Sequence, residues 1–490
     1  METIRTIERP LAARVERCRR AQESWARHSV KDRLRCVKAL RRLVVFECDA
    51  LCQALARDIG KNSQEAIGGD LLPLADALRF LVGEADRLLR SKRVPKRLLP
   101  TWMWPQRDTI HRRPRGVVGI IGTWNYPVYL NGVQVAQALT AGNGVLWKPS
   151  EVAPASAAAL HGLFLRAGFP EDLVQLLPAL RETGRELAEA DLDHVVFTGS
   201  SATGQALAAT LGSRLVSSSL ELSGCDAMFV FEDADVQLAA RAAWFGATLN
   251  RGQTCIAVRR AFVQRSVYEA FVAALHPLAA NAPPLPQTLP AQVEQAERLV
   301  QQAVAEGGQL LGARSPATDG TTCAPLVVVD ARPEMALCRE ATFAPALAVL
   351  PFEDVDDALE MNRQCPYGLG ASIFTRQTKL AAALAERLPA GMVAINDVIV
   401  PTTHPATPFG GVGRSGWGVT QGVEGLLEMT VPQVVSVRGG KFRPHYDMSA
   451  GSALSRDELV RSLFAFGHGA TLGQRIRASW RLVKALWRGN

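Results

Sequence analysis

The chain has 490 residues, 48% hydrophobic and 21% charged, the composition of a globular protein with a large core and two or three domains. No apolar run approaches the roughly 18 residues of a membrane span, and the opening Met1 to Pro10 lacks the pattern of a secretory signal. The net charge of +8 gathers near both ends without zinc-finger spacing or an aromatic RNP-type motif, which argues against a nucleic-acid partner. Nine dispersed cysteines, with no CxxC pair and no Cys/His ligand spacing, point to a reducing, cytoplasmic setting and to no metal site.

Residues 10–91 carry apolar positions such as Leu34, Val37, Leu40, Val44 and Leu51 at helical spacing, with a break at Gly60, Lys61 and Asn62. Residues 92–115, punctuated by Pro95, Pro100, Pro105 and Pro114, are predicted to be extended and either to loop over the body or to project from it. From 116 onward short apolar runs alternate with helical stretches. Strands are predicted at 116–122, 144–149, 174–177 and 194–197, and helices at 127–141, 154–167 and 204–212. That alternation predicts a doubly wound parallel sheet, in which ligands bind beyond the carboxyl ends of the strands. Three such ends carry Trp124-Asn125, Lys148 to Glu151, and Thr198-Gly199-Ser200.

A second α/β unit is predicted over 222–400, with strands near 228–231, 259–264, 326–329, 346–350, 372–374 and 393–395. Residues 281–290 read as a proline-rich surface loop, and 401–418 as a shaped loop too rich in Pro and Gly for a helix or central strand. The helix predicted over 235–249, opened by Asp233 and Asp235, should stop near Asn250 and Gly252. Cys255 follows on the turn before a strand, where a thiol is presented as a nucleophile or packs as a buried structural residue.

Glu221 closes the strand 217–221, just before Leu222; a carboxyl in an apolar core has a raised pKa suited to a general base, or serves as a paired structural group. The Asn125 amide and the Cys255 backbone N–H are candidate oxyanion donors. Lys148 and Glu151 suit a ribose clamp, the carboxylate favouring NAD over NADP, and the turn from Gly199 to Gly204 can offer a helix N-terminus to a pyrophosphate.

Taken in order, T-W-N-Y-P, K-P-S-E, F-T-G-S, E-L-S-G, G-Q-T-C, F-A-P and P-F-G-G-V-G-R-S-G-W-G resemble the aldehyde dehydrogenase superfamily, in particular its class 3, fatty and coniferyl branches, over about 110–420. The resemblance implies two doubly wound parallel-sheet domains plus a small oligomerisation arm. It implies a helical N-terminus and cofactor domain over 1–220, a thiol domain over 221–400, an oligomerisation segment at 401–440 and an extension over 441–490. Residue by residue it makes Cys255 the thiol that attacks the aldehyde, Asn125 the oxyanion donor and Glu221 the base for thioester hydrolysis. It assigns cofactor contacts to Trp124, Lys148, Ser150, Glu151, Gly199, Ser200, Thr203, Leu222 and Phe343, with NAD, or else NADP, as the cofactor and a homodimer as the assembly.

Two departures stand out. The family usually places a Glu two residues before that Phe, where this chain has Ala341; Glu340 beside it points the other way on an extended segment. The motif after the base also differs, reading Glu221-Leu-Ser-Gly-Cys-Asp-Ala227. The expected function is NAD(P)-dependent oxidation of a fatty or aromatic aldehyde to the acid. The alternatives are a coenzyme A-acylating relative and a catalytically weak member acting in binding or assembly. Residues 470–488 form a basic amphipathic helix with Leu472, Ile476, Trp480, Val483 and Trp487 on one face. It either docks on the protein or its partner subunit, or lies on a membrane surface.

Overall fold

A computed structural model describes residues 10–100, 103, 105–312, 320–439, 446 and 453–488. The chain divides into two compact units, one comprising residues up to 89 together with 114–431, the other 90–113 together with 432 onward.

In the first unit, near-continuous apolar runs form strands buried on both faces, as parallel strands covered by helices must be. One six-stranded sheet runs in the order Gly416–Trp417, Ser217–Glu221, His194–Thr198, Val117–Ile121, Gly144–Lys148, Val174–Leu176. Helices Val30–Phe46 and Leu72–Leu88 pack with Tyr129–Ala141 over one face, burying Leu40, Leu74, Leu78 and Val133. The other face is covered by a smaller cluster around Leu146, Leu187, Val195 and Leu211.

The second sheet has seven strands, ordered Gln309–Leu311, Leu326–Val329, Ala346–Phe352, Val258–Gln264, Asp226–Val230, Gly370–Phe374, Met392–Ile395. Both sheets are mixed rather than wholly parallel. Gln309–Leu311 runs antiparallel at one edge, and Gly416–Trp417 runs antiparallel to Ser217–Glu221 at the edge of the first. The glycine-rich loop predicted over 401–418 therefore supplies an edge strand, which sequence pattern cannot assign because its partner lies some 200 positions away. The proline-rich segment 281–290 likewise contains a short strand, Leu285–Pro286, paired with Thr322–Cys323. Among the described residues no helix is long and apolar enough to cross a membrane.

In the second unit, Lys92–Arg93, Gln106–Pro114 and Thr430–Arg438 form a three-stranded sheet. Asp108 accepts a hydrogen bond from Gln106 on its own strand and another from Ser436 across the sheet. Helices Ala453–His468 and Leu472–Arg488 pack on one another.

Candidate active site

The strand Val117–Ile121 runs into a turn at Gly122, Thr123 and Trp124 that is held by Asn131 from the following helix. Asn131 accepts from the Thr123 N–H at 3.1 Å and donates to the Thr123 and Pro127 carbonyls. A Cβ at position 122 would stand 2.6 Å from the Asn131 Oδ1, so this close approach requires glycine. Asn125 emerges buried, its Oδ1 accepting from Thr123 Oγ1 at 3.0 Å and its Nδ2 donating to the Gln253 carbonyl at 3.1 Å.

Behind this turn lies a pair that the sequence shows only as a helix break. Lys61 and Asp70 are fully buried and 2.7 Å apart. Lys61 Nζ also donates to the Asn125 carbonyl at 2.8 Å and sits 4.0 Å above the Tyr126 ring. Asp70 Oδ1 accepts from the Val128 and Tyr129 N–H groups, both at 3.1 Å, where the helix Tyr129–Ala141 begins. The sequence shows these two residues only as a lysine at the break after one helix and an aspartate nine positions further on, in a polar, glycine-containing stretch. A Lys61→Met substitution leaves Asp70 charged, buried and unmatched, so it is expected to cost about 3–5 kcal/mol of stability, read by thermal or denaturant unfolding.

The thiol comes from the second sheet. Helix Val236–Thr248 is capped by Asp235, whose side chain accepts from the Leu238 N–H. Asn250, Arg251 and Gly252 then turn through left-handed conformations at φ 51°, 61° and 76°. Two consecutive non-glycine residues there are strained and persist only where their surroundings hold them. Asn250 Nδ2 donates to the carbonyls of Asn125 and Gln253. Arg251 donates to the Ile59 carbonyl at 2.8 Å and the Gly60 carbonyl at 2.6 Å, and pairs with Glu65. Arg259 donates to the Gly252 and Ala344 carbonyls. Cys255, partly accessible, follows on the next turn.

Asn125, Glu221 and Cys255 line one cleft, together with Gly199, Leu222 and Phe343. Thr198, at one of the strand ends singled out in the sequence, shares the lining, as do Gln134 and Phe409, which were not among the candidate site residues. Glu221 is buried at the end of its strand with neither carboxylate oxygen hydrogen-bonded, and burial raises its pKa well above the usual value. The Cys255 thiol is pushed up to about 12, chiefly by burial and then by the charges of Asp226 and Glu221, while the backbone N–H groups of Ile256 and Cys255 oppose the shift. The resting sulfur therefore holds its proton, and a base or an added positive charge is required to release it. Asp226, which the sequence showed only as part of an altered motif, is a second buried carboxyl raised by desolvation, with its Oδ1 unpartnered.

The remaining predicted residues lie along the same strand ends, outside this cleft. Glu221, Thr198, Ile121 and Lys148 stand on four adjacent strands; three strand spacings separate Glu221 from Lys148 by roughly 14 Å. The buried Lys148 ammonium hydrogen-bonds Glu151. Burial pushes the Glu151 carboxyl up, but the bond and charge of Lys148 bring it below the usual range. Ser150 is buried and accepts from the Val152 N–H. Ser200 caps the helix Ser201–Ser213 by accepting from the Thr203 N–H, and both residues are exposed. The Trp124 and Phe343 rings meet at 5.9 Å. Glu340 pairs with Arg298 at 3.1 Å on the surface, so it does not stand in for a carboxylate at Ala341.

The description of the aldehyde dehydrogenase family matches residues 6–435. The chain belongs to the aldehyde dehydrogenase family. Among curated relatives, a 4,4'-diapolycopene aldehyde oxidase of Methylomonas sp is 35% identical over 423 residues, covering 84% of this chain and 79% of the relative. A protein of Mycolicibacterium smegmatis named "Putative succinate-semialdehyde dehydrogenase [NADP(+)]" is 31% identical, covering 87% of this chain and 84% of the relative. Among solved structures, the NAD+ complex of an aldehyde dehydrogenase from Bacillus cereus superposes with a TM-score of 0.81 at 30% identity, covering 87% and 88% of the two chains. A Mycobacterium tuberculosis aldehyde dehydrogenase complexed with NAD+ gives 0.81 at 27% identity, covering 88% and 90%. The fold is that of the aldehyde dehydrogenases, and the family's chemistry is oxidoreduction of aldehydes.

The residues present fit a dinucleotide. A buried ammonium paired with a carboxylate ends one strand, a capped helix N-terminus follows the strand two places away in the sheet, and an unpartnered Gln134 Oε1 is buried beside the cleft.

Proposed function

We propose that this enzyme oxidises a hydrophobic aldehyde to its carboxylic acid with NAD, without coenzyme A, as a cytoplasmic homodimer. One observation carries the reading: an amide, a carboxyl and a thiol from two different sheets line a single cleft. Cys255 sulfur adds to the aldehyde carbon while its proton passes to water in the cleft, and the new oxyanion takes hydrogen bonds from the Asn125 amide and the Cys255 N–H. NAD, held by Lys148, Glu151 and the helix end capped by Ser200, would supply the hydride acceptor that turns this adduct into a thioester on Cys255. Glu221 then takes a proton from water as it attacks, the carbon–sulfur bond breaks, and the acid leaves.

The apolar share of the lining, Leu130, Leu222, Phe343 and Phe409, supports a hydrophobic substrate, as does the relative named for diapolycopene aldehyde. NAD is supported by Glu151 at the strand end and by the NAD-bound structural relatives. Exposed Val431, Val434, Val435 and Val437 on one strand support self-association. Nine unpaired thiols support a reducing compartment.

The test is NADH absorbance from the purified chain with long-chain and aromatic aldehydes, NAD against NADP, with and without coenzyme A. Turnover that requires coenzyme A would move the enzyme to the acylating reading. A folded protein giving no reduced cofactor under any condition would leave the binding or assembly reading that Ala341 suggests. Glu151→Gln is expected to raise the KM for NAD roughly tenfold, a loss of about 1.4 kcal/mol, with little change in kcat; an unchanged KM would remove Glu151 from the cofactor site.

A further inference from the structure

The last helix, Leu472–Arg488, presents three different sides. One packs in the helical hairpin, where Ala478 and, on the preceding helix, Ser462 are buried. A second carries Leu472, Ile476, Trp480 and Val483, which recur every three or four positions and so share one stripe. That stripe does not face the hairpin: Leu472 and Trp480 are 75% and 73% exposed, and Ile476 and Val483 are each 50% exposed. The third side, next to the stripe, carries Arg477, Arg481 and Lys484, all exposed. The Trp487 and Arg488 side chains lie outside the described ones.

Charge decides what covers the stripe. From Leu459 to Asn490 the sequence contains Arg461, Arg475, Arg477, Arg481, Lys484 and Arg488, and no Asp or Glu at all. A second copy of the same face would set these cations against their own kind. An anionic lipid surface accepts the cations at its headgroups and the apolar stripe at the headgroup–acyl boundary, where tryptophan is favoured. We propose that the helix Leu472–Arg488 lies in the plane of an anionic membrane and holds the enzyme at that surface. This goes beyond the proposed reaction and does not depend on it.

The test is flotation of the full-length protein with vesicles of phosphatidylcholine alone and of phosphatidylcholine with about one-third phosphatidylglycerol. Binding to the anionic vesicles is expected to exceed binding to the neutral ones at least tenfold, to fall with added salt, and to drop at least tenfold in Ile476→Glu/Trp480→Glu. Both sites are exposed, so the variant should fold and keep its turnover of a small water-soluble aldehyde. Equal flotation of wild type and variant, or none by wild type, would overturn the proposal. So would a change in oligomeric state on substitution, read by analytical ultracentrifugation, because the stripe would then be a subunit contact. An enzyme inactive on every aldehyde that still floats would defeat the proposed reaction and leave the membrane assignment intact.

Discussion

A Cys255→Ser enzyme is expected to lose at least roughly a thousandfold in NADH formation, the scale on which removing a nucleophile acts, while its affinity for NAD stays within about twofold (~0.4 kcal/mol). The hydroxyl is nearly isosteric with the thiol, so the strained Asn250–Gly252 turn and its hydrogen bonds should persist. What disappears is the polarisable sulfur that forms the tetrahedral adduct from which hydride leaves. Initial rates, with NAD titrated by fluorescence quenching on the same preparation, measure both halves. Undiminished turnover would remove Cys255 from the chemistry.

Glu221→Gln should separate the two halves of the reaction. Adduct formation and hydride loss can still occur once, so a burst of about one NADH per site is expected, with the steady rate then falling by roughly 10²–10⁴ as general-base catalysis is lost. Wild-type activity should rise with pH through a value above the ordinary glutamate range, because the ionised carboxyl is the working form and burial raises its pKa. The variant should lack that limb. Stability should move in the opposite sense. A carboxyl whose folded pKa exceeds its unfolded value of about 4.3 favours the folded state while protonated. That favour is lost as pH rises from the unfolded value through the folded one. The variant should therefore melt close to wild type near pH 4.5 and above it at pH 8. A variant with no burst, or a melting gap that does not widen with pH, would contradict the assignment.

The sequence by itself determined the local chemistry and much of the scaffold. The runs Val117–Ile121 and Ala346–Phe352 could only be buried strands, and the alternation around them implied parallel sheets, because backbone pairing and burial leave few other solutions. Cys255, Glu221 and Asn125 were legible as isolated groups whose chemistry depends on side-chain type and on the ends of elements. Seven short motifs in order gave them a family.

Tertiary structure alone decided what those groups experience. The buried Lys61–Asp70 pair, the Arg251 and Arg259 anchors and the edge strand at Gly416–Trp417 join residues far apart in the chain, and no periodicity reports them. The pKa shifts belong to the same class, because desolvation depends on everything that packs around a group. The last helix shows the division most plainly. Its amphipathic pattern is local and was readable, but which side the hairpin covers, and which stripe stays open to solvent, is fixed by packing.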